Sequence, residues 1–378
     1  MQSFGTQRSM LAQLPCSHDG TGQAAQNRRR NTRYEARSMN RRPATLRGIA
    51  QQLNVHVSTV SRVLNGTLDH AGRAASKDTI ERIRALAASL DYQPNTHART
   101  LKTRHSREIA ILVPRLSDLV LATVYEGIDE TASARRYTSF VANTFDRPER
   151  QRELAERALA RNVEGLIISD VHCTAAPGFL EELAERQVPF VLVSRRRGQH
   201  CSVTSDDEMG GRLAAEHLFA QGHTRVAVIA GEVHSSNSSE RTASFVEYYR
   251  ERGIDIAREY IIPGQFDSQV GFSTGEYLLS LEHPPTAIFA VNDFLAIGLF
   301  GALRNRGLVA GRDIAVIGYN DTPLAAHLQL TSISTSMHAQ GVRAVETLMQ
   351  RIAGEPVQSH RFPAVLIVRD SSCCKPLS

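Results

Sequence analysis

Residues 57–65 read Val57-Ser58-Thr59-Val60-Ser61-Arg62-Val63-Leu64-Asn65, and the order of small, branched and charged side chains in this run decides the reading of the chain. At helical spacing Val60, Val63 and Leu64 turn to one side, leaving Val57, Ser58, Thr59, Ser61 and Arg62 on or near the other. An inward apolar edge and an outward face of small polar groups around one guanidinium describe a helix that packs on one side and offers a shallow polar surface on the other.

Upstream, Thr45-Leu46-Arg47-Gly48-Ile49-Ala50-Gln51-Gln52-Leu53 predicts a preceding helix. Thr45 is a suitable N-cap, because its hydroxyl accepts an orphan backbone N–H. Leu46, Ile49, Ala50 and Leu53 share a face. Asn54-Val55-His56 predicts a tight turn, since asparagine tolerates left-handed backbone. Downstream, Ser76 predicts the cap of a third helix through Ile80, Ile83, Leu86, Ala87 and Leu90. Gln93-Pro94 breaks it, as a residue before proline disfavours the α region. The polar segment Asn95–Lys102 is too short for a stable isolated helix, but could fold on a duplex. A short helix, a tight turn and a second helix with a small polar face fit a major groove. Arg62 could fork onto guanine O6 and N7, and the hydroxyls would admit close phosphate approach. An ordinary helical hairpin satisfies the same periodicity.

Charge follows the same division. Residues 1–43 carry net +6, residues 44–107 net +6, and the remainder net −7. A basic front on an acidic body suits a polyphosphate partner, although a solvated basic tail has the same composition. Residues 1–42 have no periodic apolar face and are expected to be disordered. Arg28-Arg29-Arg30 could add nonspecific phosphate contacts, but a plain floppy tail is the expected reading, and Met39, just before the first expected ordered segment, is a candidate natural start.

From Glu108 the pattern changes to short apolar runs separated by amphipathic stretches. Strands are expected at 109–113, 139–142, 165–168, 190–193, 226–230, 287–290 and 314–317. Alternation with helices argues for parallel sheets covered on both faces. Two such sets imply two lobes, with a ligand at the carboxyl ends of the strands.

The combination of Thr59-Val60-Ser61-Arg62-Val63-Leu64-Asn65-Gly66 with Tyr92-Gln93-Pro94-Asn95, Ala98-Arg99 and Leu101 closely resembles the LacI/GalR family of transcriptional regulators. The likeness continues through Gly211-Arg212-Leu213-Ala214, Asn292-Asp293 and Val316-Ile317-Gly318-Tyr319-Asn320-Asp321, covering residues 43–372. It implies a small all-α helix-turn-helix DNA-binding domain and an α/β two-lobe, periplasmic-binding-protein-like domain, with crossings between lobes near residues 205, 292 and 332. It implies that Val57, Ser58 and Arg62 face base edges, and that Thr45, Thr59, Ser61 and Asn65 contact the phosphate backbone. Asn95 to Leu101, with Ala98 and Arg99, would form a hinge helix in the minor groove, with Leu101 wedged into a base step. Three departures bear on the pose: Gly48 stands where relatives usually have Asp, His56 replaces the usual Ser at a helix cap, and the loop Thr67–Ala75 is about five residues longer than the family norm.

Carried over in the same way, the effector-facing positions are Ser117, Asp118, Ser194, Arg195, Asn237, Arg241, Phe266, Asn292 and Asn320. Phe266 offers a flat apolar face, Arg241 a fork of donors, and Asn292 both donor and acceptor. Ser194 and Asn320 stand where relatives that bind neutral sugars often carry Asp. With Arg195 and Arg241 retained, a positive cleft and an anionic effector, a sugar acid or sugar phosphate, are expected.

The expected organisation is a basic extension (1–42), a helix-turn-helix domain (43–92), hinge and linker (93–106), effector and dimerisation domain (107–372) and tail (373–378). The expected partners are an operator duplex, a sugar-like effector and a second copy of the chain. The absence of a secretion signal and of any 20-residue apolar run predicts a cytoplasmic protein rather than a transporter's solute receptor. No phosphate loop, nucleophile elbow or metal cluster is visible, so neither catalysis, cofactor nor metal is expected. His217 and His223 read as structural. The five cysteines form no C-x-x-C pair, and Cys373-Cys374 read as spare thiols.

Overall fold

The computed structural model describes residues 44–65, 73–92, 105–173 and 178–373. The expected extension 1–42 and the hinge positions Asn95, Ala98, Arg99 and Leu101 lie outside them, as do most of the loop Thr67–Ala75 and the tail beyond Cys373. The chain divides into two compact units, residues 1–98 and 99–378.

In the first unit, α1 (Leu46–Leu53), α2 (Val57–Asn65) and α3 (Lys77–Ser89) surround Ile49, Ala50, Val60, Val63, Ile83 and Ala87. The Thr45 hydroxyl accepts the Gly48 N–H at 3.1 Å. Asn54 takes the left-handed conformation, φ 50° and ψ 48°, and turns the chain into α2. Ser76 caps α3 by accepting from the Thr79 N–H at 3.3 Å.

The second unit contains two six-stranded sheets. The first has the order β11-β5-β4-β3-β1-β2, formed by β1 (Glu108–Val113), β2 (Thr138–Asn143), β3 (Gly165–Ile168), β4 (Phe190–Val193), β5 (Ser202–Ser205) and β11 (His360–Phe362). The second has the order β12-β10-β9-β8-β6-β7, formed by β6 (Val226–Ala230), β7 (Ile261–Pro263), β8 (Ala287–Ala290), β9 (Ala315–Asn320), β10 (Thr331–Ser334) and β12 (Val365–Ile367). Only β12 runs antiparallel, to β10. Helices cover both faces, which explains why β1, β3, β4, β6 and β8 are buried almost throughout.

The chain crosses between lobes after β5, after β10, and between β11 and β12. The first two match the crossings expected near 205 and 332. The one expected near 292 does not exist, because β8, Asn292 and the following α10 (Asp293–Asn305) all belong to the second lobe. The third crossing lies at residues 363–364.

After the second crossing, α12 (Met337–Ile352) returns to the first lobe and packs beside α4 (Leu119–Ala134). Val345 and Leu348 join Ile109, Val124 and Ile128 in that lobe's core. The two helices touch backbone to backbone. A Cβ on Gly341 would lie 2.0 Å from the Val124 carbonyl oxygen, and one on Gly127 would lie 2.2 Å from that of His338, so neither position accepts a side chain without separating the helices. Among the described residues, no helix is long and apolar enough to cross a membrane.

Candidate effector cavity and DNA-reading face

On α2, Ser58 and Arg62 are exposed, and Thr59 and Ser61 are half-buried. Val57 is half-buried against the unit's core, so its methyl groups are divided between packing and the outer face. His56 supplies the cap at the start of α2. Its Nδ1 accepts the Ser58 N–H at 3.3 Å and lies 2.7 Å from the Ser58 hydroxyl. That arrangement requires the tautomer with its proton on Nε2. The substituted histidine thus satisfies an orphan N–H as the usual serine would, and fixes the Ser58 hydroxyl on the exposed face.

In the second unit, a cavity of about 410 Å³ lies between the lobes, and all nine expected effector positions line it. The reason is topological: in parallel sheets the loops after the strands gather at one edge. Ser117 and Asp118 follow β1, Ser194 and Arg195 follow β4, Phe266 follows β7, Asn292 follows β8, and Asn320 ends β9. Asn237 and Arg241 enter from α8 (Ser236–Arg250).

The arginines do not make the cleft positive. Arg195, 4% exposed, donates to Asp146 Oδ1 at 2.8 Å and Oδ2 at 3.3 Å, and to Glu232 Oε2 at 3.0 Å. Arg241 donates Nε–H to Asp207 Oδ1 at 2.8 Å and Nη1–H to the Val291 carbonyl at 2.9 Å. Its guanidinium carbon lies 3.7 Å from the Tyr319 ring centre. Around the cavity Arg115, Arg195 and Arg241 face Asp118, Asp146, Glu232 and Asp267. The expected positive cleft is therefore corrected. The carboxylates that balance it, Asp146 and Glu232, follow β2 and β6 and belong to no motif. Their position just beyond strand ends is the signal that would have found them.

Burial shapes the acids. It pushes the Asp118 carboxyl up to about 6, while that group caps α4 by accepting the Val120 N–H at 2.9 Å. Burial, and after it the neighbouring Asp146 carboxylate, push Glu232 up to about 7. Burial would raise Asp146 too, but the Arg195 guanidinium more than reverses this and holds it well below the usual carboxylate range.

The asparagines are less versatile than expected. Asn292 Oδ1 accepts the Phe294 N–H at 2.6 Å and the Leu295 N–H at 3.4 Å, and Asn237 Oδ1 accepts the Ser238 N–H at 2.8 Å and the Ser235 hydroxyl. Each acceptor is committed to the start of a helix, so each amide offers the cavity its NH₂ donors. Ser194 Oγ, Thr335 Oγ1 and Gln340 Oε1 are buried atoms of cavity-lining residues and have no hydrogen-bond partner among the described residues. Sequence reasoning did not select Thr335 or Gln340, which lie at and just beyond the second crossing. Phe266 offers a ring from one lobe and Phe145, 42% exposed, from the other.

A helix with a small polar outer face on one unit and a polar inter-lobe cavity on the other are the two features a DNA-binding regulator with a ligand site would need. Residues 45–95 match the family described as bacterial regulatory proteins, lacI family, and residues 215–372 match a periplasmic binding protein-like domain. The chain is 29% identical over 336 residues to the HTH-type transcriptional repressor PurR of Vibrio vulnificus (strain CMCP6), spanning 87% of this chain and 98% of that repressor. It is 28% identical over 323 residues to PurR of Klebsiella pneumoniae (strain 342), spanning 84% and 92%. Among solved structures, a lac repressor dimer bound to operator and the anti-inducer ONPF superposes with a TM-score of 0.77 at 27% identity, covering 88% of this chain and 100% of that one. The complex of the transcriptional regulator CelR with cellobiose superposes at 0.64 with 26% identity, covering 87% and 99%. The chain carries a lacI-family DNA-binding domain and, further along, a periplasmic binding protein-like domain. It is a DNA-binding transcriptional repressor and not an enzyme.

Proposed function

We propose that this repressor binds a two-fold operator as a homodimer and that a small, neutral, polar ring compound in the inter-lobe cavity sets its operator affinity. The convergence of all nine expected positions on one cavity carries this reading. The chemistry supports a neutral rather than an anionic effector. Both deeply buried arginines already hold carboxylates, so an anion would have to displace them or depend on Arg115, an exposed cation of the lining. Asn237 and Asn292 donate, Gln340 accepts, Ser194 and Thr335 do either, and Phe145 and Phe266 cover apolar ring faces. This set suits hydroxyl or amide groups around a ring, as in a sugar.

On the DNA, Arg62 and Ser58 would read bases, while Thr45, Thr59, Ser61 and Asn65 hold the backbone. The segment Asn95–Leu101, with Ala98 and Arg99, would fold in the minor groove as a hinge. Closure of the lobes would change the spacing of the two hinges, a coupling typically worth about 1–3 kcal/mol.

Footprinting of the full chain on its own upstream region, with and without candidate metabolites, tests the whole scheme. Calorimetry with neutral sugars, sugar acids and sugar phosphates tests the effector class. Binding confined to the acids would refute the neutral-effector reading while leaving operator control intact.

A further inference from the structure

We propose that Asp146, His172 and His234 form a site for a borderline transition-metal dication, of the zinc, cobalt or nickel class, joining the two lobes beside the effector cavity. His172 follows β3 in the first lobe and His234 follows β6 in the second. The two come together only through the fold. Their rings stack with centroids 3.8 Å apart and 26° between planes.

Both Nε2 atoms meet the same carboxylate on different oxygens: His172 reaches Asp146 Oδ1 at 3.2 Å and His234 reaches Oδ2 at 2.8 Å. The three ligand atoms all lie within 4.8 Å of one another. An ion about 2.05 Å from both atoms of a pair would subtend about 105° at the His172 pair or about 85° at the His234 pair, and holding both pairs at once requires Asp146 to chelate through its two oxygens. The stacked rings need a rotation about Cβ–Cγ to converge their lone pairs. The ion takes the place of the Nε2 protons that now bridge nitrogen and oxygen; in each neutral ring that proton passes through solvent to Nδ1, so both histidines bind as neutral imidazoles.

The surroundings fit the assignment. Glu232 Oε2 lies 3.5 Å from His234 Nε2 and supplies a fourth donor by a small side-chain movement. Arg195 grips Asp146 and fixes its orientation, as groups behind metal ligands do. Arg195 also leaves one positive charge beside the ion, which favours nitrogen-bound borderline metals over the hard dications that depend on accumulated carboxylate charge. The side chains of His172 and His234 are 17% and 26% exposed, so an ion has a path inward. The Cys173 N–H donates to the His234 carbonyl at 2.9 Å, already aligning the two loops across the gap. A bound ion would therefore fasten the lobes together.

The test uses the full chain freed of metal by chelator. Cobalt(II) chloride is titrated while the visible d–d absorption is followed, and zinc chloride is titrated by calorimetry, both in excess magnesium. One ion per chain is expected. His172→Ala and His234→Ala should each weaken binding about tenfold or more, and the double variant should lose the cobalt spectrum. Circular dichroism and melting check the fold. If an alanine variant does not melt cooperatively, the matching glutamine variant is read by the same criteria. Failure of the wild-type chain to bind either ion overturns the site. So does an unchanged affinity and spectrum in the double variant, which would place the ion on other histidines or on cysteines.

Discussion

Arg241 on α8 donates its Nε–H to Asp207 at 2.8 Å, and both residues are essentially buried, 4% and 2% exposed. Asp207 is the first residue of α7 (Asp207–Ala220) and follows the first crossing between lobes. Arg241 lines the effector cavity. A single ion pair therefore ties the cavity wall to the hinge between lobes. Removing one partner of such a pair leaves the other charge uncompensated in the interior. Arg241→Ala is expected to cost about 3–5 kcal/mol of stability, read as a lower urea midpoint of the full chain. An unchanged midpoint would mean that the pair is solvated in practice.

Arg62 is the exposed cation of α2. Arg62→Ala is expected to weaken the true operator by about 1–3 kcal/mol and to relax base preference at one position of each half-site. Binding to random duplex should change little. Equal losses on both in a salt-controlled gel shift would reassign Arg62 to the phosphates.

The caps of the first unit give opposite outcomes from two substitutions. A Cβ on Gly48 would meet nothing nearer than Thr45 Oγ1 at 3.4 Å, so the glycine is not required sterically. Gly48→Ala should stabilise α1 by about 0.5–1 kcal/mol. His56→Ala removes the Nδ1 acceptor from α2 and should cost about 1 kcal/mol. Hydrogen exchange at the Ile49, Val60 and Val63 amides measures both, with slower exchange in the first variant and faster in the second.

Asp118 titrates near 6 rather than near its ordinary 3.8 because it is buried in the cleft. Between these values the native protein holds a proton that the unfolded chain has released. The associated stability is therefore present below about pH 4 and is lost as the pH rises through 6. Asp118→Asn keeps an oxygen to accept the Val120 N–H and removes the buried charge. It should raise stability at pH 7.5 by about 1–3 kcal/mol and have no effect at pH 3.5. Residual solvent contact of this half-buried side chain places the gain toward the lower figure. Melting curves at the two pH values decide the matter, and an equal shift at both would assign the gain to packing.

Much of this architecture is legible along the chain because its strands are near-continuous apolar runs. Phe190-Val191-Leu192-Val193 and Ala287-Ile288-Phe289-Ala290 are strands by composition and are found at those bounds. Among the strands that escape notice are short partly exposed ones, β7, β11 and β12, and two whose burial comes from partners. Ser202–Ser205 and Thr331–Ser334 are mostly hydroxyl residues, yet they are buried within sheets, where ladder bonds and contacts such as Ser332 to Asp293 at 2.7 Å satisfy their polar atoms. The misplaced crossing at Asn292 has a similar cause. A conspicuous polar residue after β8 serves the start of α10, and nothing local separates a helix cap from a lobe boundary. Residues in recognisable motifs, Asp118 and Arg241 among them, were found. Asp146, Glu232, His172 and His234 were not, because their importance comes from loops brought together by two sheets.

The return of α12 to the first lobe also constrains how the protein is made. As the chain leaves the ribosome, β1 to β5 emerge well before Met337–Ile352. The surface formed by Ile109, Val124, Ile128 and Val191 stays uncovered until Ala344, Val345 and Leu348 arrive. By then the second sheet has all its strands except β12. The lobe synthesised first is thus sealed only after most of the second has been made, and a message broken after β10 would release a nascent chain with an open apolar face that chaperones or proteases would recognise.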